Sequence, residues 1–251
     1  MEKIDRLGWT EGFSFSAYGT LFGIRTNDTE VLPSLKNLVR SYDWPILEGG
    51  EVQSLFSLRV APPARRGRKN FNLLYWGAGR LLRTLDLNEA LSFFDDRLRS
   101  IAQQMSPNDV FVPGAIVSWN ERHLVLPAQE DSGLNELVGA LEQRGAETLS
   151  RNFFSISSSG ELKGETGESL DEVNRPLMVF TEYSKRNKTL RARQISQGTS
   201  ALLLFSSGVG AAYRPQKALT AIAAFTQKVP GLRGKRGEVG QAADYLLKKL
   251  F

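Results

Sequence analysis

The chain of 251 residues contains no cysteine and a single histidine. Without cysteine there can be no disulfide bonds and no thiolate zinc sites. A Ser-His-Asp site would need His123 as its base, and no triad or metal motif lies near this residue in the sequence. We therefore interpret His123, which follows Glu121 and Arg122, as a turn or strand-edge residue, and we expect no metal site.

Long apolar runs are also missing. None approaches the roughly 18 residues that a membrane span needs, and residues 1–6 are not followed by the apolar stretch of a secretory signal. Hydrophobic residues make up 41% of the chain, enough to bury one large core or two smaller ones. These patterns predict a cytoplasmic protein without membrane contact.

The net charge is +5, and the basic residues are clustered. Such runs are usually solvated surface, and their functional interpretation is contact with an acidic peptide or protein. Nucleic acid is not expected, because the runs are predicted to lie on separate loops and turns without interleaved aromatic residues. The candidate contacts are Arg65, Arg66, Arg68 and Lys69 in the first run and Lys185, Arg186 and Lys188 in the second; a third run is Arg233-Gly234-Lys235-Arg236.

The first part of the chain has the pattern of a small α+β unit. Alternating apolar residues predict strands at 13–18 and 21–26, then at 52–60, 70–76 and 79–84. An amphipathic helix is predicted over 29–40, and Leu85-Asp86-Leu87-Asn88 opens a second helix. Ser106-Pro107-Asn108 is a turn signal. We therefore predict one unit over residues 1–107 and a second over residues 108–251.

The second part has the pattern of an α/β domain, a mixed sheet with flanking helices. A strand is predicted over residues 176–183, because residues 177–180 are a continuous apolar run, as expected where both faces of a sheet are covered. Residues 146–158 indicate a return strand or hairpin, and the polar, acidic segment 162–174 indicates a mobile loop. Helices are predicted over 196–206, 215–228 and 238–250.

Within this part, residues 112–145 have the layout of a strand, a phosphate-binding loop and a helix. A short apolar strand at 123–126 ends at Pro127, and apolar residues from Leu134 onward fall on one helical face. Ser132 is a residue type that is favoured as the N-cap of a helix, and Gly145 is a residue type that commonly ends one.

The loop itself lacks the residues that would contact phosphate. Such a loop needs glycines, a lysine for the outer phosphates and a hydroxyl for Mg²⁺. Glu130 and Asp131 instead add negative charge. In the vestigial loop, Ala128 replaces the first glycine, Leu134 stands at the lysine position, Asn135 replaces the hydroxyl residue, and only Ser132 and Gly133 are retained. We expect no binding of Mg-ATP here, no catalytic residues and no cofactor.

The order of several short segments gives the chain a family resemblance. It resembles the HPr kinase/phosphorylase-like family, in particular its shorter members that occur beside peptide-modification and other biosynthetic genes. The resemblance implies a PEP carboxykinase-like P-loop domain after the small α+β unit. Its segments are Ala17-Tyr18-Gly19, Leu85-Asp86-Leu87, Val110-Phe111-Val112, the loop and its helix, Val179-Phe180-Thr181-Glu182-Tyr183, Arg214-Pro215 and Arg236-Gly237-Glu238.

The chain departs from this family where the chemistry would lie. Pro113-Gly114-Ala115 stands where the family has a His-Ala-Gly run, and Ser150-Arg151-Asn152 stands where it has an acidic segment. The missing carboxylates would serve metal binding or proton removal. The resemblance therefore implies a degenerate member of the family.

Three hypotheses follow from the sequence. The first is a catalytically inactive HPr kinase-like protein, a pseudokinase that binds or regulates a peptide or protein, possibly in a peptide-modification pathway. The second is an atypical ATP-dependent kinase or nucleotide-binding transferase that uses Ser132, Gly133 and Asn135, with basic residues of 185–193 in place of the lost lysine. The third is a structural assembly component, which would form a stable oligomer without a small ligand.

Overall fold

The computed structural model describes residues 3–47, 49–62, 69–129, 133–170, 176–187 and 189–249. The chain divides into two compact units, Met1–Pro107 and Asn108–Phe251. The division falls at the turn that Ser106-Pro107-Asn108 indicated in the sequence. Each unit contains a mixed β-sheet with helices, so the predicted α/β class is confirmed at this level.

Within its described residues, the first unit is a six-stranded sheet with two α-helices. The elements are β1 (Glu11–Ala17), β2 (Thr20–Thr26), α1 (Leu32–Arg40), β3 (Ile46–Leu47), β4 (Ser54–Arg59), β5 (Asn72–Trp76), β6 (Gly79–Thr84) and α2 (Leu87–Met105). Short 3₁₀ turns at Lys3–Arg6 and Thr29–Val31 precede strand β1 and helix α1, respectively. The strand order is β3-β1-β2-β4-β5-β6, and only β2 and β4 run parallel.

Local sequence explains these elements. Tyr18 and Gly19 both have positive φ, 48° and 78°, which is the geometry of a tight hairpin turn between β1 and β2. The carboxylate of Asp86 accepts a hydrogen bond from the backbone N–H of Asn88 at 2.8 Å and caps α2. Both helices pack on one face of the sheet, where the buried core includes Phe15, Phe22, Leu35, Phe56, Phe94 and Leu98.

In the part of the second unit that the structure describes, an eight-stranded sheet is accompanied by four α-helices. The elements are β7 (Asp109–Trp119), β8 (Arg122–Pro127), α3 (Leu134–Glu142), β9 (Glu147–Ser150), β10 (Phe153–Ser157), β11 (Leu162–Lys163), β12 (Leu177–Tyr183), β13 (Arg193–Ile195), α4 (Gln197–Ser207), α5 (Pro215–Lys228), β14 (Gly231–Arg236) and α6 (Val239–Lys249). A 3₁₀ turn at Ala211–Tyr213 lies between α4 and α5. The strand order is β11-β10-β7-β8-β12-β14-β13, with β9 paired to β7 beside β10.

Helices cover both faces of this sheet. One hydrophobic cluster joins α4 and α5 to residues such as Val112 and Phe180, and the other joins α3 and α6 to residues such as Val117 and Val179. Because adjacent residues on β12 enter different clusters, its continuous apolar sequence is explained by burial on both faces. At the centre of the sheet, β8, β12 and β14 run parallel.

Several expectations about local structure need correction. The third basic run is not a loop or turn: residues 233–236 belong to strand β14. The residue that caps α3 is Gly133, without a side-chain hydrogen bond, and Ser132 lies outside the described residues. The segment predicted as a mobile loop begins with strand β11, paired to β10, while residues 171–174 lie outside the described residues. None of the described helices is both long and apolar enough to cross a membrane.

Candidate binding site at the start of helix α3

The site lies where the carboxyl ends of the parallel strands meet. Strands β8, β12 and β14 run in the same direction, and the chain enters α3 after β8 and α6 after β14. Ligands of open α/β sheets commonly bind at this edge, because loops and helix starts gather there. Two neighbouring clefts open at this edge, and both are lined by Gly133 and Glu136.

Gly133 has a conformation that only glycine adopts without strain. Its φ and ψ of 52° and 45° are left-handed, and it is the residue immediately before α3. A Cβ atom here would lie 2.5 Å from Nη2 of Arg236 and 2.9 Å from Oε2 of Glu136. The backbone angles therefore favour glycine at position 133, and a larger residue would also displace the ends of the Arg236 and Glu136 side chains.

A hydrogen bond from Arg236 connects strand β14 to the start of α3. Its Nη2 donates a hydrogen bond to the carbonyl oxygen of Gly133 at 2.8 Å, and its Nη1 donates to the carbonyl oxygen of Gly237 at 3.3 Å. The residue is 2% exposed, and its guanidinium lies 5.7 Å from the ring centroid of Tyr183. Burial lowers the pKa of Arg236, while the charge of Glu136 acts in the opposite direction. A buried positive charge thus supports the backbone of the loop.

The larger cleft has a volume of about 710 Å³. Its lining combines a basic group, an acidic group and a half-exposed aromatic ring: Lys185, Glu136 and Tyr183, the last 48% exposed. Arg236, Gly133 and Val239 complete it. A cleft of this size and mixed chemistry suits a peptide segment or a small polar ligand.

The smaller cleft, of about 410 Å³, lies at the irregular junction of β9 and β10. Glu165 Oε1 accepts hydrogen bonds from the backbone N–H groups of Arg151 and Asn152, at 3.1 and 2.6 Å. The guanidinium of Arg151 pairs with Glu142, and this hydrogen bond lowers the pKa of the Glu142 carboxyl. The guanidinium of Arg151 and the backbone N–H groups of Arg151 and Asn152 are thus engaged by carboxylates. The lining is Gly114, Ala128, Gly133, Leu134, Asn135, Glu136, Arg151 and Asn152.

The structure brings together the described residues of the vestigial loop. Ala128, Gly133, Leu134 and Asn135 all line the smaller cleft. Leu134, which the sequence pattern places where a phosphate-binding loop would have a lysine, is partly buried against the hydrophobic cluster of α3 and α6, and Asn135 is exposed. The remaining loop residues, 130–132, lie outside the described residues, including the predicted acidic pair.

The predicted basic contacts are only partly placed at this site. Lys185 and Arg186 are both exposed, and Lys185 lines the larger cleft. Lys69 is exposed in the first unit. Arg65, Arg66, Arg68 and Lys188 lie outside the described residues.

Four residues of the larger cleft are not among the predicted site residues: Glu136, Tyr183, Arg236 and Val239. Arg236 had been interpreted as part of a surface run, although it is buried. Tyr183 and Glu136 were assigned to a strand and a helix without a role. Tyr183 and Arg236 are register partners at the ends of adjacent parallel strands, so their positions in these strands would have indicated that they lie together. Recognising β14 as a strand would have placed them together.

Ion-binding chemistry is not evident in the described part of the chain. There, no three His, Asp or Glu side chains are grouped so that they could hold a metal ion. Comparisons of the chain with models of protein families, with curated proteins and with solved structures find no match. The chemistry of the clefts and the resemblance seen in the sequence are therefore the basis for assigning a function.

Proposed function

We propose that this is a cytoplasmic, catalytically inactive protein of HPr kinase-like ancestry that binds a peptide or protein partner through the larger cleft. The observation that carries the proposal is the placement of Leu134. At the position where a phosphate-binding loop would offer a lysine, this side chain packs against the cluster of α3 and α6. Leu134 is partly buried, and its uncharged side chain cannot neutralise the charge of a transferred phosphoryl group.

The distribution of charge supports the same proposal. Arg236 directs Nη2 to the carbonyl oxygen of Gly133, and Glu136 lines both clefts at the helix start. A carboxylate at this end of a helix is favourable for the helix itself, but it opposes the approach of a polyphosphate. The backbone at the start of α3 is thus stabilised by Arg236 and Glu136 and does not depend on a bound anion.

The larger cleft offers features suited to a peptide. Tyr183 presents an aromatic surface with a polar tip, a residue type that contributes strongly to protein interfaces. Lys185 can pair with an acidic side chain, and Glu136 can accept a hydrogen bond from the peptide. The partner expected from this lining is a segment that carries an acidic residue close to an apolar or aromatic one.

A displayed library of random peptides, selected on the intact protein, tests this proposal. Selected peptides should lose about tenfold or more in affinity for Tyr183→Ala, because truncating an interface tyrosine removes a large contact area. Tyr213→Ala is the matched control, since Tyr213 is 75% exposed and does not line the cleft. Failure to enrich any peptide, or equal losses with both variants, would contradict the proposal.

An atypical nucleotide-binding enzyme is the second candidate, favoured by one observation. Lys185 and Arg236 line the same cleft as Gly133, so positive charge reaches the helix start from β12 and β14. Calorimetry with ATP, ADP and pyrophosphate, each with and without Mg²⁺, separates the candidates. Micromolar binding that Lys185→Ala abolishes and Arg186→Ala preserves would favour the enzyme and overturn the first proposal.

A further inference from the structure

Arginines align on the face of the six-stranded sheet that is opposite helices α1 and α2. Strand register pairs Arg25 with Ser57, Ser57 with Tyr75 and Tyr75 with Arg80, so these residues form one row across the sheet. Directly paired residues project from the same face. A second row consists of Arg59, Leu73 and Arg83. We call the surface defined by these two rows the arginine face.

The arginine face is poor in compensating carboxylates. The six strands contain four arginines and a single acidic residue, Glu11. Glu11 precedes Gly12, the register partner of Arg25, so strand alternation directs Glu11 to the other face. Arg25 pairs with Asp5 at 3.2 Å. In the described parts of the chain, no ion pair involves Arg59, Arg80 or Arg83.

The spacing of these arginines suits an extended acidic chain. Arg59 and Arg83 lie on either side of Leu73, which places their backbones about 10 Å apart, since neighbouring strands are separated by roughly 4.8 Å. Arg80 and Arg83 are exposed, and Arg59 is half-buried. Exposed charges at such separations are largely screened at physiological salt, but they repel one another at low ionic strength. Carboxylates arriving from outside would relieve that repulsion.

Contacts between the arginines and aromatic rings favour a polypeptide over a nucleic acid. The guanidinium carbon of Arg83 lies 3.8 Å from the ring centroid of Phe71, and that of Arg25 lies 4.8 Å from the ring centroid of Trp9. Each ring therefore has one face covered, whereas single-stranded nucleic acids bind by stacking bases on open aromatic faces. A guanidinium stacked in this way keeps its N–H edge available for a bidentate bond to a carboxylate.

We propose that the arginine face binds an acidic, Asp- and Glu-rich segment of a partner protein. This surface belongs to the first unit, and its function does not depend on the cleft beside α3. The guanidinium groups of this face bind the carboxylates of the partner through charge-assisted hydrogen bonds. Binding is accordingly strongest at low ionic strength and weakens as salt is added.

Fluorescence anisotropy of a fluorescein-labelled oligoglutamate peptide, titrated with the full chain, tests the proposal. The triple variant Arg59→Gln, Arg80→Gln, Arg83→Gln should lower the affinity for the peptide by about tenfold or more. Each substitution removes a guanidinium that would donate charge-assisted hydrogen bonds to a glutamate carboxylate of the peptide. The matched control is Arg97→Gln, which removes an exposed arginine stacked on Phe93 at 5.2 Å, on α2. That control should retain the affinity within about twofold.

The remaining outcomes are also decisive. Circular dichroism establishes that the variants are folded, and single substitutions at Arg80 and Arg83 replace the triple variant if it is not. Absence of oligoglutamate binding at low salt would overturn the proposal, as would equal losses with Arg97→Gln. Tighter binding of an oligothymidylate, lost in the same triple variant, would identify a nucleic-acid surface and would also overturn it.

Discussion

Nη2 of Arg236 and the backbone N–H of Leu137 both donate hydrogen bonds to the carbonyl oxygen of Gly133, at 2.8 and 3.2 Å. The first bond joins strand β14 to the loop, and the second begins the hydrogen-bond pattern of α3. The buried guanidinium therefore holds the helix start against the sheet edge. The geometry of both clefts depends on this pair, because Gly133 lines each of them.

Removing this guanidinium should destabilise the second unit. We expect Arg236→Ala to lower the free energy of unfolding by about 2–4 kcal/mol, since it leaves a cavity and removes the side-chain hydrogen bonds to the carbonyl oxygens of Gly133 and Gly237. Urea unfolding followed by circular dichroism measures the change. Amide hydrogen exchange at Leu137 should also accelerate, because its acceptor is no longer held in place.

Arg233 provides the control on the same strand. Its side chain is 46% exposed, and its Nε donates to Glu182 at 3.0 Å. Arg233→Ala should cost less than about 1 kcal/mol, as is usual for exposed ion pairs. Equal effects of the two substitutions would show that burial of Arg236 does not support the loop.

Two glycines, Gly133 at the start of α3 and Gly139 within it, should respond oppositely to alanine. Gly133→Ala should destabilise by about 1–3 kcal/mol, because it combines a left-handed φ of 52° with a Cβ atom 2.5 Å from Nη2 of Arg236. Gly139→Ala should stabilise by about 0.5–1 kcal/mol, because Gly139 lies inside α3 and no atom lies within 4 Å of its added Cβ. Thermal unfolding of both variants checks the signs. A stable Gly133→Ala protein would contradict the assigned loop conformation.

His123 should make stability depend on pH near neutrality. It is 5% exposed, neither ring nitrogen has a hydrogen-bond partner within the described residues, and burial lowers its pKa. Above about pH 6.5, the pKa of histidine in an unfolded chain, the imidazole is neutral in both the folded and the unfolded state. As the pH falls below that value, the imidazole of the unfolded chain binds a proton, whereas the buried imidazole of the folded protein stays neutral. Stability is therefore lost on acidification, until the pH reaches the lowered folded pKa.

A single substitution isolates this contribution, because the chain has only one histidine. Between about pH 7.5 and about pH 5.5, the wild-type protein should lose up to about 1 kcal/mol more stability than His123→Leu. Urea unfolding at the two pH values measures the difference. Identical losses in the two proteins would mean that the imidazole titrates normally in the folded state.

Much of the fold could be predicted from apolar patterns. Strand β12 was identified over 176–183 because its run of apolar residues has no solvent-facing alternation, and Val179 and Phe180 are indeed buried on opposite faces. Helix α5 was predicted with the bounds Pro215 and Lys228, since proline is favourable at a helix start and the apolar residues recur at helical spacing. Local chemistry was sufficient for these elements.

Strand β14 could not be recognised in this way. Its sequence, GLRGKR, has three basic residues and no apolar alternation, so it has the pattern of a surface turn. It is a strand because it pairs in parallel with β12, and Gly234 lets it approach the neighbouring backbone, where a Cβ would lie 2.7 Å from the carbonyl oxygen of Arg191. The burial of Arg236, and hence the larger cleft, follows from this tertiary pairing.

Tyr42 should have a pKa well above that of a free phenol. Burial and a hydrogen bond to the Asp95 carboxylate raise the pKa of Tyr42 to about 12, although the guanidinium of Arg99, 4.6 Å from the ring centroid, acts in the opposite direction. Spectrophotometric titration should therefore show one late phenol ionisation that is absent from Tyr42→Phe.

The raised pKa also fixes the sign of the alkaline stability change. In the unfolded chain this phenol ionises near pH 10, whereas the folded protein keeps the proton up to about pH 12. The contribution of Tyr42 is thus complete below pH 10 and is lost as the pH rises through the folded value. At neutral pH, Tyr42→Phe should cost about 1 kcal/mol through the lost hydrogen bond, measured by urea unfolding. The control Tyr213→Phe changes an exposed phenol and should leave both the late ionisation and the stability unaltered. Loss of the late ionisation in Tyr213→Phe would show that it does not arise from Tyr42.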